Sequence, residues 1–285
     1  MSKPSPRRDG ITAVVPVHDA ADRLDKLIPA WAAALDKLDR PYEILVVDDG
    51  STDTTPTVLE KLAARVPHLR VLKHEARRGF GASLKTALAE AAQPLFFYTS
   101  LDYPYTPGDL KRFVERIEVR DEFLNRQPDL ISGARTGQSA PVVGRALGRA
   151  WRILARVAAG MQLQPRATWL GFGDYAYNKF VGTVFGVPLG DVNSAFKLYR
   201  TAFLKRVPIQ SDGDFVHTEL VAKATFLTSI MDEIPLTPKP DPAPPLSPMR
   251  AEMWRVFKHP SFVAPAPVEP APVPVPEPSP AVGGP

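Results

Sequence analysis

Residues 44–47 form an uninterrupted apolar run that ends abruptly in Asp48, Asp49, Gly50, Ser51, Thr52 and Asp53. A short β-branched run of this kind reads as a strand buried on both faces. A strand that delivers carboxylates to its C-terminal end is how an open α/β sheet builds a ligand site at its rim. The design recurs at residues 11–17, followed by His18 and Asp19, and at 94–98, followed by Thr99, Ser100, Leu101 and Asp102. Three strand ends therefore converge on one polar rim.

Short β-rich runs alternate with helical patterns through residues 11–100. The spacing predicts strands at 11–17, 43–48, 69–73 and 95–99, with helices at 20–37, 54–65 and 80–92 between them. Strands separated by helices of this length imply parallel βαβ units with helices on both faces, and right-handed crossovers place the loops that follow the strands on one edge. A helix over 107–119, a strand at 129–133, helices at 141–160 and 174–186, the run 191–200, a helix at 216–226 and a strand at 229–234 complete the pattern. The expected fold is a mostly parallel, Rossmann-like α/β sheet flanked by helices, occupying residues 11–235 as one domain after a disordered N-terminus at 1–10.

Beyond residue 235 the composition changes: 17 of the 32 prolines fall in the final 51 residues. That density cannot support a packed core. Residues 236–263 read as a proline-rich segment with one short amphipathic helix near 249–258. Residues 264–285 read as a disordered, extended polyproline spacer, with a proline-ligand motif as the sharper alternative.

The 285 residues contain no cysteine, which excludes disulfides, thiolate metal sites and cysteine nucleophiles; Asp, Glu and His must carry any metal. The first ten residues are polar and do not resemble a secretion signal. No stretch approaches the roughly 18 apolar residues that span a bilayer. The expectation is a cytoplasmic protein, with peripheral contact at the cytoplasmic membrane face. The net charge is +4 and nothing points to a nucleic-acid partner, but residues 130–173 hold no acidic residue and include Arg135, Arg145, Arg149, Arg152, Arg156 and Arg166. Arg145, Arg149, Arg152 and Arg156 are spaced to form one stripe on a helix. Such a stripe suits lipid phosphates, with Trp151, Trp169 and Phe172 at headgroup level; a solvated surface helix packed on the sheet is the other reading.

A carboxylate at a strand end can accept from a base N–H or a ribose hydroxyl. On that logic Asp49 is a candidate for the base, Asp48 for the ribose or for structural support, and Ser51 to Asp53 for capping the next helix; the alternative is a capping turn and nothing more. Further on, Arg77, Arg78, Gly79 and Gly81 stand at a strand-to-helix junction, which suits a diphosphate meeting backbone N–H groups. The third glycine of a dinucleotide fingerprint is missing.

Taken in order, Pro16-Val17-His18-Asp19-Ala20, Val47-Asp48-Asp49-Gly50-Ser51-Thr52-Asp53, Gly79-Phe80-Gly81 and Ser100-Leu101-Asp102 through Asp109-Leu110 resemble the segments of family-2 glycosyltransferases with the GT-A fold. The likeness is greatest to the branch of dolichol-phosphate mannose synthase and the bacterial polyprenyl-phosphate sugar transferases. Gly133-Ala134-Arg135, the run Asp191 to Arg200, and His217-Thr218-Glu219-Leu220 extend the resemblance to about residue 235. It implies an inverting glycosyltransferase that moves a sugar from a nucleoside-diphosphate sugar to a polyprenyl phosphate or related acceptor in cell-envelope polysaccharide synthesis.

The resemblance also assigns residues. Pro16, His18, Asp48, Asp49, Ser51, Arg78, Gly79, Gly81, Ser100 and Asp102 fall to the nucleotide sugar, and Asp102 to a divalent Mg²⁺ or Mn²⁺. Arg135 falls to phosphate, Asp191 to the general base that a hydroxyl acceptor, unlike a lipid phosphate, would need (a turn residue being the other reading), and Glu219 with the arginine stripe to the acceptor or membrane. Ser100 stands where the family has the first Asp of Asp-x-Asp, Ala20 where it has Glu, Pro104 where it has Gln and Ala195 where it has Gly. The family's late Arg-x-x-Gly is replaced by a proline-rich stretch, where Arg250 is the residue left to contact phosphate. These departures motivate a second reading: a catalytically impaired relative that keeps the fold as a nucleotide-binding or scaffolding module.

Overall fold

A computed structural model of the chain describes residues 8–101, 106–121, 125–135, 172–236 and 250–262. Asp102, the arginines at 145, 149, 152 and 156, Trp151, Trp169 and the tail from residue 264 lie outside the described residues, as does the expected helix at 141–160. The side chains of Phe172 and Arg250 do too.

The described strands are β1 (Ile11–Val17), β2 (Tyr42–Asp49), β3 (Leu69–His74), β4 (Leu95–Tyr98), β5 (Leu130–Arg135), β6 (Lys197–Arg200) and β7 (Met231–Leu236). They form one seven-stranded sheet in the order β3-β2-β1-β4-β6-β5-β7. β1 runs parallel to β2 and β4, β2 to β3, and β5 to β7, while β6 is antiparallel to both its neighbours. The fold is thus GT-A-like, mostly parallel and mixed at one strand.

Side chains alternate across the sheet, so each strand feeds two cores. Ile11, Ala13 and Val15 of β1 and Leu95 and Phe97 of β4 pack with α1 (Ala21–Asp36), α2 (Thr55–Ala63) and α4 (Leu110–Glu118). Val14, Phe96 and Tyr98 face the other way, onto α3 (Phe80–Glu90), α5 (Phe172–Phe185), α6 (Thr201–Leu204) and α7 (Val216–Phe226). Burial on both faces is why these strands read as continuous apolar runs. A 3₁₀ turn (Pro107–Asp109), closed by Thr106 and Asp109, precedes α4. A last helix, α8 (Arg250–Lys258), sets the ring of Phe257 against Phe185 of α5 at 4.6 Å.

The run 191–200 is strand only from Lys197. Upstream of it, Lys197 Nζ donates to the carbonyls of Val192 and Ser194, which folds residues 192–196 into a tight loop instead of extending them. Because β6 is reversed, that loop precedes its strand and reaches the rim where β1, β2 and β4 end. Register completes the assembly by pairing Val17 with Asp48 and Asp49 with His74.

Candidate functional site

The turns after β1 and β2 are stapled together. The Asp49 carbonyl accepts from His18 Nδ1 at 3.0 Å, which makes Nδ1 the protonated nitrogen. Asp19 N donates to Ser51 Oγ at 3.0 Å, and Asp19 Oδ1 accepts from Thr52 N at 2.8 Å and Asp53 N at 3.3 Å. Asp19 makes these contacts from a left-handed conformation (φ 45°), which Asp tolerates better than most residues. Ser51 therefore ties the two turns rather than capping α2, while Asp53 Oδ1 takes the Thr55 amide at 2.8 Å. Pro16 lies beside Val47 within the sheet.

The two adjacent carboxylates have separate work. Asp49 Oδ1 accepts from His74 Nδ1 at 2.7 Å and Arg78 N at 2.9 Å, and Oδ2 accepts from Gly79 N at 2.7 Å. His74 is held in turn by a 2.8 Å contact between its Nε2 and Thr86 Oγ1. Burial pushes the Asp49 carboxyl pKa up, but the His74 hydrogen bond and the Arg78 and Gly79 amides outweigh it and leave the group below its ordinary value. Asp49 was expected to meet a nucleobase; its oxygens instead hold the turn at 78–79. Asp48 Oδ1 accepts from Ser51 N at 3.0 Å, but its Oδ2 is buried with no hydrogen-bond partner among the described residues. An acceptor left open in that way is costly unless a ligand completes it.

Gly79 and Gly81 also serve a different purpose from the expected one. Gly79 has φ 105°, and a Cβ there would stand 2.5 Å from the Asp212 carbonyl oxygen; at Gly81 it would stand 2.4 Å from that of Ser211. Ala82 N donates to Asp212 O at 3.0 Å, and Lys85 Nζ meets Asp212 Oδ1 at 2.5 Å. The glycines let the α3 turn sit directly on residues 211–213. With the amides of Arg78, Gly79 and Ala82 already donating within the protein, this turn is not an open anion cradle. The Arg78 side chain is exposed at the rim.

Across β4 the polar groups are ionic. Asp191 has no exposed surface and accepts from Arg135 Nε at 2.7 Å, Nη2 at 2.8 Å and the Arg135 backbone N at 3.1 Å. Its own amide donates to Glu233 Oε1 at 2.9 Å. The expected general base and the expected phosphate-facing arginine are thus each other's partners, and both Asp191 oxygens are engaged. Beside them Lys197 is fully buried; burial drags its pKa down, against the pull of Asp191 and with the push of Arg135, to about 7.

The floor between the halves is aromatic. Tyr98 OH lies 3.1 Å from His217 Nδ1, and Phe80 rests on His217 at 4.8 Å between ring centroids. Burial, then Lys197 and Arg135, drive His217 well below its ordinary pKa, so it is a neutral ring. Glu219, expected toward an acceptor, is buried and accepts from Gln210 N and Ser211 N, both at 2.8 Å, and from Lys223 Nζ at 2.6 Å. Ser100 lies half-buried in the turn after β4. His74, Ser211 to Gly213 and Glu233 carry no local signal of these partnerships, because each contact joins positions far apart in the chain. Among the described residues no three His, Asp or Glu side chains gather to hold a metal, and no helix is long and apolar enough to cross a membrane.

Known proteins resemble the chain in sequence and in fold. The chain is 24% identical over 203 residues to dodecaprenyl-phosphate galacturonate synthase of Rhizobium johnstonii, covering 71% of this chain and 51% of that protein. It is 30% identical over 178 residues to undecaprenyl-phosphate 4-deoxy-4-formamido-L-arabinose transferase of Edwardsiella ictaluri, covering 56% and 54%. The chain thus spans about half the length of these curated relatives. Among solved structures it superimposes on glucosyl-3-phosphoglycerate synthase of Mycobacterium tuberculosis, in complex with Mn²⁺, UDP and phosphoglyceric acid, with TM-score 0.55 and 18% identity, covering 87% of this chain and 76% of that one. A mannosyltransferase from Pyrobaculum calidifontis in complex with GDP-Man and Mn²⁺ gives TM-score 0.50 at 19% identity, covering 90% and 64%. The likeness to both structures is one of fold. Residues 12–138 match the model of glycosyl transferase family 2.

Proposed function

We propose that this protein is an inverting glycosyltransferase that takes a sugar from a nucleoside-diphosphate sugar and attaches it to a polyprenyl phosphate or a related lipid phosphate. The observation that carries the reading is the rim itself: turns locked before any ligand arrives, with one buried carboxylate oxygen, Asp48 Oδ2, left open to accept from a nucleoside N–H or hydroxyl. The sugar-to-polyprenyl-phosphate activities in the names of the two curated relatives support the acceptor class.

A phosphate acceptor also fits the engaged state of Asp191. A phosphate oxygen is already ionised, so it attacks the anomeric carbon as the bond to the diphosphate breaks, and no proton has to be removed. A hydroxyl acceptor would need a general base, and Asp191 has both oxygens on Arg135. In this reading Asp49, His74 and Gly79 shape the turn, Asp48 takes the nucleoside, and Arg78 offers its exposed guanidinium to the departing diphosphate. Arg135 and Asp191 hold the rim together rather than react.

A divalent ion would stabilise the same leaving charge. The described residues supply no donor set for one, so Asp102 and oxygens brought by the diphosphate would have to hold it; Mg²⁺ is commonly bound that way, through one or two carboxylates, phosphate and water.

Calorimetric titration with UDP- and GDP-sugars, with and without Mn²⁺, followed by transfer to polyprenyl phosphate, tests the reading. Saturable binding with turnover is expected, and Asp48→Asn should weaken binding by about tenfold, the scale of one lost hydrogen bond to a charged group. Binding without turnover would favour the non-catalytic relative, which Ser100 in place of the first Asp of Asp-x-Asp motivates. No binding of either nucleotide sugar would end both readings.

A further inference from the structure

Residues 210–213 present four consecutive backbone N–H groups, and each donates to a glutamate. Gln210 N and Ser211 N go to the carboxylate of Glu219, from α7. Asp212 N and Gly213 N both go to Glu252 Oε1, from α8, at 2.5 and 2.9 Å. Two helices far apart in sequence thus grip one segment by its amides, and hydrogen bonds to a carboxylate are the stronger kind. Further bonds pin the end of α8 to the same place: Arg255 Nη2 donates to Gln210 O at 3.1 Å, Gln210 Nε2 to His259 O at 2.8 Å, and Ser261 N to Gln210 Oε1 at 2.7 Å.

The carbonyl side of this segment is the seat of the α3 turn. Asp212 O accepts from Ala82 N, and the carbonyls of Ser211 and Asp212 fill the space that side chains at Gly81 and Gly79 would need. The far side of that turn is held by Asp49, through Arg78 N and Gly79 N. A continuous chain of short polar contacts therefore runs from Glu252, through 212–213 and 79–82, to the end of β2.

We propose that Glu252 is a positioning residue for the nucleotide-binding rim, and that α8 is a working part of the glycosyltransferase domain rather than an appendage of the proline-rich region. The link between α8 and the turn rests on geometry alone; its effect on ligand rests on the function proposed above. Without the Glu252 carboxylate, Asp212 N and Gly213 N lose their acceptor, the segment relaxes, and the glycine turn loses the surface that fixes it.

Amide hydrogen exchange on the full chain without ligand, paired with titration of the nucleotide sugar the wild type binds best, tests the link. In Glu252→Ala, exchange should speed by about tenfold or more at residues 210–213 and also at 79–83, and the nucleotide sugar should bind several-fold more weakly well below the melting temperature. Glu252→Gln keeps an oxygen for both amides and should stay near wild type. Ile117→Ala, in α4 on the opposite face, should cost comparable stability while leaving exchange at 79–83 as in the wild type. Unchanged exchange at 79–83 in Glu252→Ala, or an equal rise there in Ile117→Ala, would overturn the inference. Faster exchange at 79–83 in a protein that binds no nucleotide sugar would support the link and remove the functional reading instead.

Discussion

Asp49 and Asp191 stand on the same rim, on opposite sides of β4, and both are nearly inaccessible, at 5% and 0% exposure. Asp49 is satisfied by two backbone amides and an imidazole; Asp191 is satisfied by a guanidinium, with Lys197 close behind it. Backbone amides come with the fold and bring no second charge to desolvate. A buried guanidinium does, and the pair holds only while both members are present. One half of the rim is shaped by its backbone, the other by a charge balance, and the two should break in different ways.

The largest effect should come from the ionic half. Asp191→Ala leaves the Arg135 charge buried and should cost about 3–5 kcal/mol in chemical denaturation, whereas replacing the pair together, Arg135→Met with Asp191→Leu, should recover most of that loss. Equal losses in the single and double variants would mean that charge balance is not what holds this half of the rim. Next comes Gly79→Ala, which sets a Cβ against the Asp212 carbonyl at φ 105°. About 2–3 kcal/mol is expected from the collision and the left-handed backbone together, with weaker nucleotide-sugar binding. Asp49→Asn should cost less, about 1–2 kcal/mol, because the amide keeps one acceptor oxygen.

The same Asp49 variant carries a pH signature. The folded carboxyl lies below its unfolded value, so its contribution is present above about pH 4 and is lost as pH falls through the folded value. Asp49→Asn should therefore flatten part of the acid-side decline seen in denaturation midpoints. Lys197 gives a change of the same sign at higher pH. Its folded pKa of about 7 lies below the ordinary lysine value of 10.5, so between those values the unfolded chain binds the extra proton and stability rises with pH. Lys197→Met should remove that rise, and a wild-type curve without it would show that the buried amine stays charged.

Much of the fold was legible because its signals are local. Apolar runs ending in polar turns marked β1, β2 and β4 to within a residue or two, and helical periodicity marked α1, α3 and α7. The site was legible in position and not in partnership. Asp48, Asp49, Gly79 and Gly81 do line the rim, but nothing near Gly79 in sequence records that Asp212 will lie against it. Nor does the spacing of Asp191 and Arg135 show that the expected base and the expected phosphate ligand will neutralise each other. The division of the run 191–200 was hidden for a related reason. Its apolar content resembles a strand, while the Lys197 amine, reaching back to Val192 and Ser194, folds its first half into a loop.

The Arg135 to Asp191 contact has a topological consequence. The chain leaves the sheet at Arg135 and comes back to within 3.1 Å of the same backbone nitrogen at Asp191. The end of β5 and the residues that lead into β6 are therefore clasped together at the rim, beyond the last paired residues Ser132 and Lys197. The clasp acts as an ionic extension of the β5–β6 ladder: where the hydrogen-bonded pairing stops, a salt bridge keeps the two strands from splaying at the rim.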